Sequence, residues 1–380
     1  MKILIGMTRS DTMASGSFKH IVQIGEGFRR AGCEVAYVIG KNGPVCDFLS
    51  ARGFRVYSLP SLERDLSPLK DAVSLAGLLK ILLQFNPDIC SWHTAKIGAL
   101  GRIASAMLFR RSFYVPHGIP FFESRHNSGH KKYRLLEKIL SYLPSKIVGV
   151  CQFDTDQYLN LGLSEAKAIT IHNGMPAVLT SRLERGGRPR DKVVFLTAAR
   201  FENQKDYPTL AEAVRRVAQI CPNRFELHIY GDGPQEQQTR ELFSGIDAPV
   251  IFKGFIEDMT VALKSADVFV LSSHWEGLPR SIIEAMSCRL PVIATDVGGV
   301  KELIVHGHSG YLVAHANAEA IVEAMVEYVE NEALWRAHSE SSYAKFNAEF
   351  TVEKMLDKYL QAYLPEASRA PAITKTIRDA

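Results

Sequence analysis

Residues 273–299 read SHWEGLPRSIIEAMSCRLPVIATDVGG. The stretch runs from a polar loop through Gly277, Leu278 and Pro279 into a short amphipathic helix, an apolar strand and a Gly-Gly turn. That alternation is the unit from which helix-covered parallel sheets are built. It carries two carboxylates, Glu276 and Glu284, with seven residues between them. The first lies just before the helix and the second inside its first turns. Exposed N–H groups at a helix start attract anions, so a phosphate fits between the two acids. Pro279 suits the first turn, where its missing N–H costs nothing, and Gly277 permits close backbone approach. A phosphate cradle beside two hydroxyl-accepting carboxylates suits a sugar nucleotide. Two such glutamates alone would read as ordinary surface residues of a helix; their neighbours give them meaning. An acid pair for glycoside hydrolysis needs carboxyls about 5–9.5 Å apart, whereas eight residues of continuous helix span about 12 Å, although part of this stretch is loop.

Outward from that stretch the same alternation fills the chain. KILIGM, CEVAYVIG, FRVYSLP, DICSWH, SFYVPHG and KIVGV read as strands in the first half, with helices over 17–31, 68–85, 95–108 and 130–143. VVFLTAAR, FELHIYGDG, VIFKGF, DVFVLSS and PVIATDV read as strands in the second half. Helices are expected there over 207–220, 234–244, 257–264, 280–288 and 316–329, with a last amphipathic stretch over 334–363. The expected organisation is a first Rossmann-like domain over 1–172, a linker over 173–190, a second over 191–350 and a helix over 351–365, with 366–380 a frayed tail. Two doubly wound domains facing across a cleft place ligands at the carboxyl ends of their strands.

The 380 residues, 46% hydrophobic and 23% charged, suffice for two cores and exclude a disordered or fibrous chain. The net charge of +4 is unevenly spread: residues 1–172 hold 22 Lys/Arg against 13 Asp/Glu, and residues 173–380 hold 23 against 28. The basic half, with the run RHNSGHKKYR over 125–134, suits an anionic acceptor or an anionic membrane surface. It lacks aromatic interleaving, which argues against nucleic acid. The six cysteines form no C-x-x-C pair, which fits a reducing compartment and offers no zinc site. The N-terminal apolar run is too short for a signal peptide, and no run reaches about 18 apolar residues. A cytoplasmic protein with peripheral contact at the inner face of the plasma membrane is expected.

The Glu-x7-Glu stretch resembles the donor-site motif of the family 4 retaining glycosyltransferases of bacterial surface polysaccharide synthesis, which have the GT-B fold. TAARFENQKDY, with Arg200 and Lys205 just after a strand, is similar to that family's Arg-x4-Lys pair. The resemblance extends over nearly the whole chain. It implies that Arg200 and Lys205 hold the donor diphosphate, Glu284 the ribose, and Glu276 with Gly277 and Leu278 the transferred sugar. His117 in VPHG is implied as a donor-sugar contact supporting the transition state. The Ser15-Gly16-Ser17 turn, where relatives have Gly-Gly, is expected to position acceptor and phosphate through Gly16, and Ile256 to meet the base. Phe252 and Phe255 are read as core. The turns Tyr230-Gly231-Asp232-Gly233-Pro234 and Asp296-Val297-Gly298-Gly299, with Glu302, are read as architecture.

The expected activity is retaining transfer of a hexose or N-acetylhexosamine from a nucleotide diphosphate sugar, UDP-linked, to a glycan or lipid-linked acceptor, with no metal and no cofactor. A GT-B epimerase, or a non-catalytic sugar-nucleotide-binding subunit, is the alternative.

Overall fold

The computed structural model describes residues 1–8, 15–65, 67–121, 130–178 and 192–365. Most of the proposed linker, the tail over 366–380 and the acceptor region over 122–129 therefore lie outside the described residues. The chain forms two compact units: Met1–His172 with the segment from Glu353 onward, and Asn173–Val352.

In the first unit seven parallel strands are β1 (Lys2–Met7), β2 (Glu34–Ile39), β3 (Arg55–Ser58), β4 (Ile89–His93), β5 (Arg111–Val115), β6 (Ser145–Gly149) and β7 (Ala168–Thr170), in the order β3-β2-β1-β4-β5-β6-β7. β1 and β4 are buried almost throughout, as strands covered on both faces must be. Trp92, Tyr114, Leu78, Leu82 and Phe85 centre one core cluster. The helix Val352–Tyr363 packs Phe28 and Phe113 against Tyr363.

In the second unit the strands are β8 (Val193–Ala198), β9 (Phe225–Tyr230), β10 (Val250–Gly254), β11 (Val268–Leu271), β12 (Val292–Thr295) and β13 (Gly310–Val313), ordered β10-β9-β8-β11-β12-β13 and again parallel. Both units are thus doubly wound α/β sheets, as the alternating pattern predicts. Two helices the pattern does not reveal are Pro44–Ala51 and Gln152–Leu159. The amphipathic stretch over 334–363 forms two helices, Glu332–Glu349 and Val352–Tyr363. They break where Thr351 forms a β-bridge with Met175 and the Val352 amide donates to Met175 O at 2.9 Å.

Candidate active site

β8 and β11 are neighbours, yet β8 leads on to β9 on one side and β11 to β12 on the other. Such a switch point opens a crevice at the carboxyl ends of the strands. The chain leaves β8 through Arg200 and Lys205 and leaves β11 through Ser272 to Pro279, so the two motifs meet there although 71 residues separate Lys205 from Glu276.

The two loops are clamped. The Ser272 hydroxyl is shared between Lys205 O at 2.9 Å and Asp206 O at 3.0 Å. The His274 amide donates to Gln204 O at 2.7 Å, and Gln204 Nε2 donates to Trp275 O at 2.7 Å. Within this frame Lys205 Nζ and Ser273 Oγ both donate to Glu276 Oε1 at 2.6 Å. The Lys205 and Glu276 side chains are only 15% and 8% exposed. Glu276 Oε2 takes no hydrogen bond among the described residues, which leaves it able to accept from a substrate hydroxyl. Arg200 stands apart from this pair, 59% exposed, with Nη1 3.9 Å from Glu202.

Glycines let backbone approach backbone here. A Cβ on Gly298, at φ 56°, would lie 1.9 Å from Glu276 O, and the Gly299 amide donates to Gly277 O at 2.9 Å. The 296–299 turn therefore braces the Glu276 loop, a larger part than its sequence reading assigns. A Cβ on Gly231 would lie 2.0 Å from Ala199 O, so the Gly231–Gly233 turn shapes the strap bearing Arg200. Leu278 is buried, Pro279 is the N-cap residue of the helix Arg280–Ser287, and Glu284 lies half-buried in its second turn. Burial pushes the Arg280 guanidinium down to about 10, with Glu284 opposing the shift. Ile256 is half-buried. Phe252 packs on Phe201 and Phe243 as expected, but Phe255 is 55% exposed, a correction to its core reading: it follows β10 on the turn rather than on the strand.

The first unit gathers a second set. Gly16 opens the helix Gly16–Arg30, capped by Ser15 Oγ accepting from the Phe18 amide at 3.2 Å. His117 follows β5 at φ 56° ahead of Gly118 at φ 119°. Its Nε2 lies 2.9 Å from Nδ1 of His93, the buried last residue of β4. Burial pushes His93 well below the usual histidine range, and His117 adds to the shift. Thr94 next to it holds φ 77° and ψ 157°, a region almost reserved for glycine. Ring nitrogens of His20, His93 and His117 lie within 4.8 Å of one another, the one group of metal-ligand type among the described residues. Hydrogen bonds to Tyr359 and Ser91 engage Nε2 of His20 and of His93, and His93 Nδ1 is engaged by His117. His20, His93, Ser91, Tyr359, Tyr363 and Ser273 were missed by sequence reasoning. The only signal is a pair of polar residues, Ser91 and His93, in an otherwise apolar strand.

Residues 14–177 match the family model described as Glycosyltransferase Family 4, and residues 192–331 that described as Glycosyl transferases group 1. The chain is 27% identical over 348 residues to an Escherichia coli protein named UDP-Gal:alpha-D-GlcNAc-diphosphoundecaprenol alpha-1,3-galactosyltransferase, covering 87% of this chain and 89% of that one. It is 28% identical over 252 residues to the E. coli O-antigen biosynthesis glycosyltransferase WbnH, covering 66% and 69%. Among solved structures it resembles Anabaena Alr3699/HepE in complex with UDP, at TM-score 0.80 and 21% identity over 95% of this chain and 99% of that one. The fold is GT-B. With one family model on each doubly wound unit, the chain belongs to the family 4, group 1 glycosyltransferases, and is a glycosyltransferase of polysaccharide or glycoconjugate synthesis.

Proposed function

We propose that the enzyme transfers a hexose or N-acetylhexosamine from a UDP-sugar to a glycan or lipid-linked acceptor, with retention of anomeric configuration and without a metal ion. The observation that carries this reading is the Lys205–Glu276 pair fixed at the β8–β11 switch point. A cation for a diphosphate and a carboxylate for sugar hydroxyls stand on loops that hold each other rigid. Arg200 and Lys205 neutralise the leaving diphosphate, aided by the N-terminal end of the helix Arg280–Ser287. Glu276 Oε2 and the Gly277-Leu278 backbone hold the sugar, Glu284 the ribose hydroxyls, and Ile256 lies by the base. Gly16 positions the acceptor end of the reaction, and His117 supplies a substrate contact. The E. coli relative named for UDP-Gal and a GlcNAc-diphosphoundecaprenol substrate supports the choice of donor and acceptor class.

A peripheral position on an anionic membrane is part of this reading. The helix His130–Leu140 and the residues after it expose Leu135, Ile139 and Tyr142, 62%, 58% and 78% accessible, in one stripe at helical spacing. Lys131, Lys132, Arg134 and Lys138 are exposed beside them. A basic face with an apolar stripe suits a bilayer surface carrying anionic lipid. Incubation of a UDP-hexose panel with a polyprenyl-diphosphate-linked GlcNAc acceptor, with EDTA present, tests the proposal. An α-linked product from an α-linked donor supports it. A β-linked product, or transfer that stops on removing metal, overturns retention or metal independence respectively.

A further inference from the structure

The helix Val352–Tyr363 inserts two phenols behind His117, and their hydrogen bonds have a direction. Tyr363 Oη lies 2.8 Å from Ser91 Oγ, Ser91 Oγ 2.9 Å from His93 Nε2, and His93 Nδ1 2.9 Å from His117 Nε2. Tyr363, Ser91 and His93 are all fully buried. Among the described residues Ser91 Oγ is the only hydrogen-bond partner of the Tyr363 hydroxyl. If Tyr363 accepted from Ser91, its own proton would be buried without an acceptor. That loss favours the opposite direction by roughly 10- to 100-fold. Tyr363 therefore donates to Ser91. Ser91 then has its own proton to place, and His93 Nε2 is the only acceptor left to it among the described residues. A neutral imidazole that accepts at Nε2 carries its proton on Nδ1. His93 Nδ1–H must then donate to His117 Nε2, and a neutral His117 carries its proton on Nδ1.

We infer that the chain Tyr363–Ser91–His93 holds His117 as a neutral Nδ1–H tautomer whose Nε2 is engaged by His93, so that neither ring nitrogen has a lone pair left to take a proton and His117 is not the base that deprotonates the acceptor. His93 is the positioning residue, and the C-terminal helix is part of the site. The inference rests on the proposed function only in placing His117 against substrate; the proton order stands on hydrogen bonding alone. The neighbouring pair agrees. Tyr359 Oη lies 2.9 Å from His20 Nε2 and has no other hydrogen-bond partner among the described residues, so it too donates, and His20 carries Nδ1–H. The His20 ring stands edge-on to His117, with centroids 4.8 Å apart. Burial raises both tyrosines above their ordinary range, which keeps the phenolic protons in place. The left-handed conformation of His117 and the glycine-like conformation of Thr94 hold the two imidazoles in register at some cost in backbone strain.

The test is long-range 1H–15N correlation on the full chain labelled at histidine nitrogens, with signals assigned by their loss in His93→Asn and His117→Asn. Protonated Nδ1 and bare Nε2 on both residues is the expected pattern. A His93 protonated at Nε2 overturns the inference, whatever the activity. In turnover assays His93→Leu is expected to lower kcat about tenfold with the donor KM within about twofold. His93→Asn, whose amide N–H falls near the Nδ1 position, is expected to recover most of the loss. Equal loss in Leu and Asn variants, or loss expressed only in KM, contradicts a positioning role. If no nucleotide sugar is turned over yet the tautomers are as stated, the proposed function fails and the proton order stands.

Discussion

Glu276→Gln should make the protein less stable and less active, yet better at binding free UDP. The Lys205–Glu276 contact at 2.6 Å joins side chains 15% and 8% exposed, between a surface pair and a buried one. At an effective dielectric of about 20 the gross attraction is roughly 6 kcal/mol, most of it cancelled by desolvation. Exposed pairs are worth about 0.2–1 kcal/mol, whereas stripping one partner from a buried pair costs about 3–5 kcal/mol. An intermediate loss of about 2 kcal/mol follows for Glu276→Gln. The glutamine still accepts from Ser273, so the loss is chiefly that of charge. For a unit of this size about 2 kcal/mol corresponds to a drop in Tm of roughly 4–8 °C. Lys205→Met should cost about as much, and the double variant little more than either, a coupling of about 2 kcal/mol. Additivity within about 0.5 kcal/mol would refute the pair as a unit. Calorimetric titration supplies the second arm. With Glu276 neutral, Lys205 is released to the diphosphate, and UDP should bind about threefold to thirtyfold more tightly while sugar transfer falls. Weaker UDP binding would show that Lys205 does not serve the phosphates.

Other consequences are checked more simply. Glu284→Gln should raise the Kd for UDP with a smaller change in kcat, whereas Arg200→Ala should mainly lower kcat; wild-type activity in both would remove these roles. Gly298→Ala places a methyl 1.9 Å from Glu276 O in a left-handed backbone, so Tm and donor binding should fall together, and an unchanged Tm would contradict the close approach. Stability should also fall with acid. The folded-state pKa of His93 is depressed, so its contribution is full above about pH 6.5 and is lost as pH falls further, because the unfolded chain takes the proton first. His338, depressed chiefly by burial, acts in the same sense. Each costs at most about 1.4 kcal/mol per pH unit. Denaturation midpoints at pH 7.5, 6.5 and 5.5 should therefore fall less steeply in His93→Asn than in the native chain, and parallel slopes would refute the assignment.

Much of the architecture was legible because buried parallel strands are apolar runs and their helices are amphipathic. The helix Tyr207–Ile220 falls where its period places it. The helix Gln152–Leu159 escaped because Gln152, Asp154 and Asp156 interrupt any apolar stripe, and β7 because a strand of three residues hardly differs from loop. The break before Val352 is tertiary in origin, a bridge to Met175 that no local pattern encodes. At the site, the run from loop through helix to glycine turn pointed to Glu276 and Glu284, and the family resemblance to Arg200 and Lys205. Their geometry could not be read, since the Lys205–Glu276 contact depends on β8 lying beside β11. The Tyr363–Ser91 contact, 272 residues apart in sequence, is further still from any local signal.

The most direct measurement is release of UDP from a panel of UDP-sugars, with EDTA present, by the native chain and by Lys205→Met side by side. The account predicts that at least one UDP-hexose or UDP-N-acetylhexosamine stabilises the native protein and slowly releases UDP, and that Lys205→Met loses most of both responses. A native chain that neither binds nor cleaves any UDP-sugar, or a Lys205→Met variant that does so as well as the native one, would contradict the placement of the donor at the β8–β11 switch point.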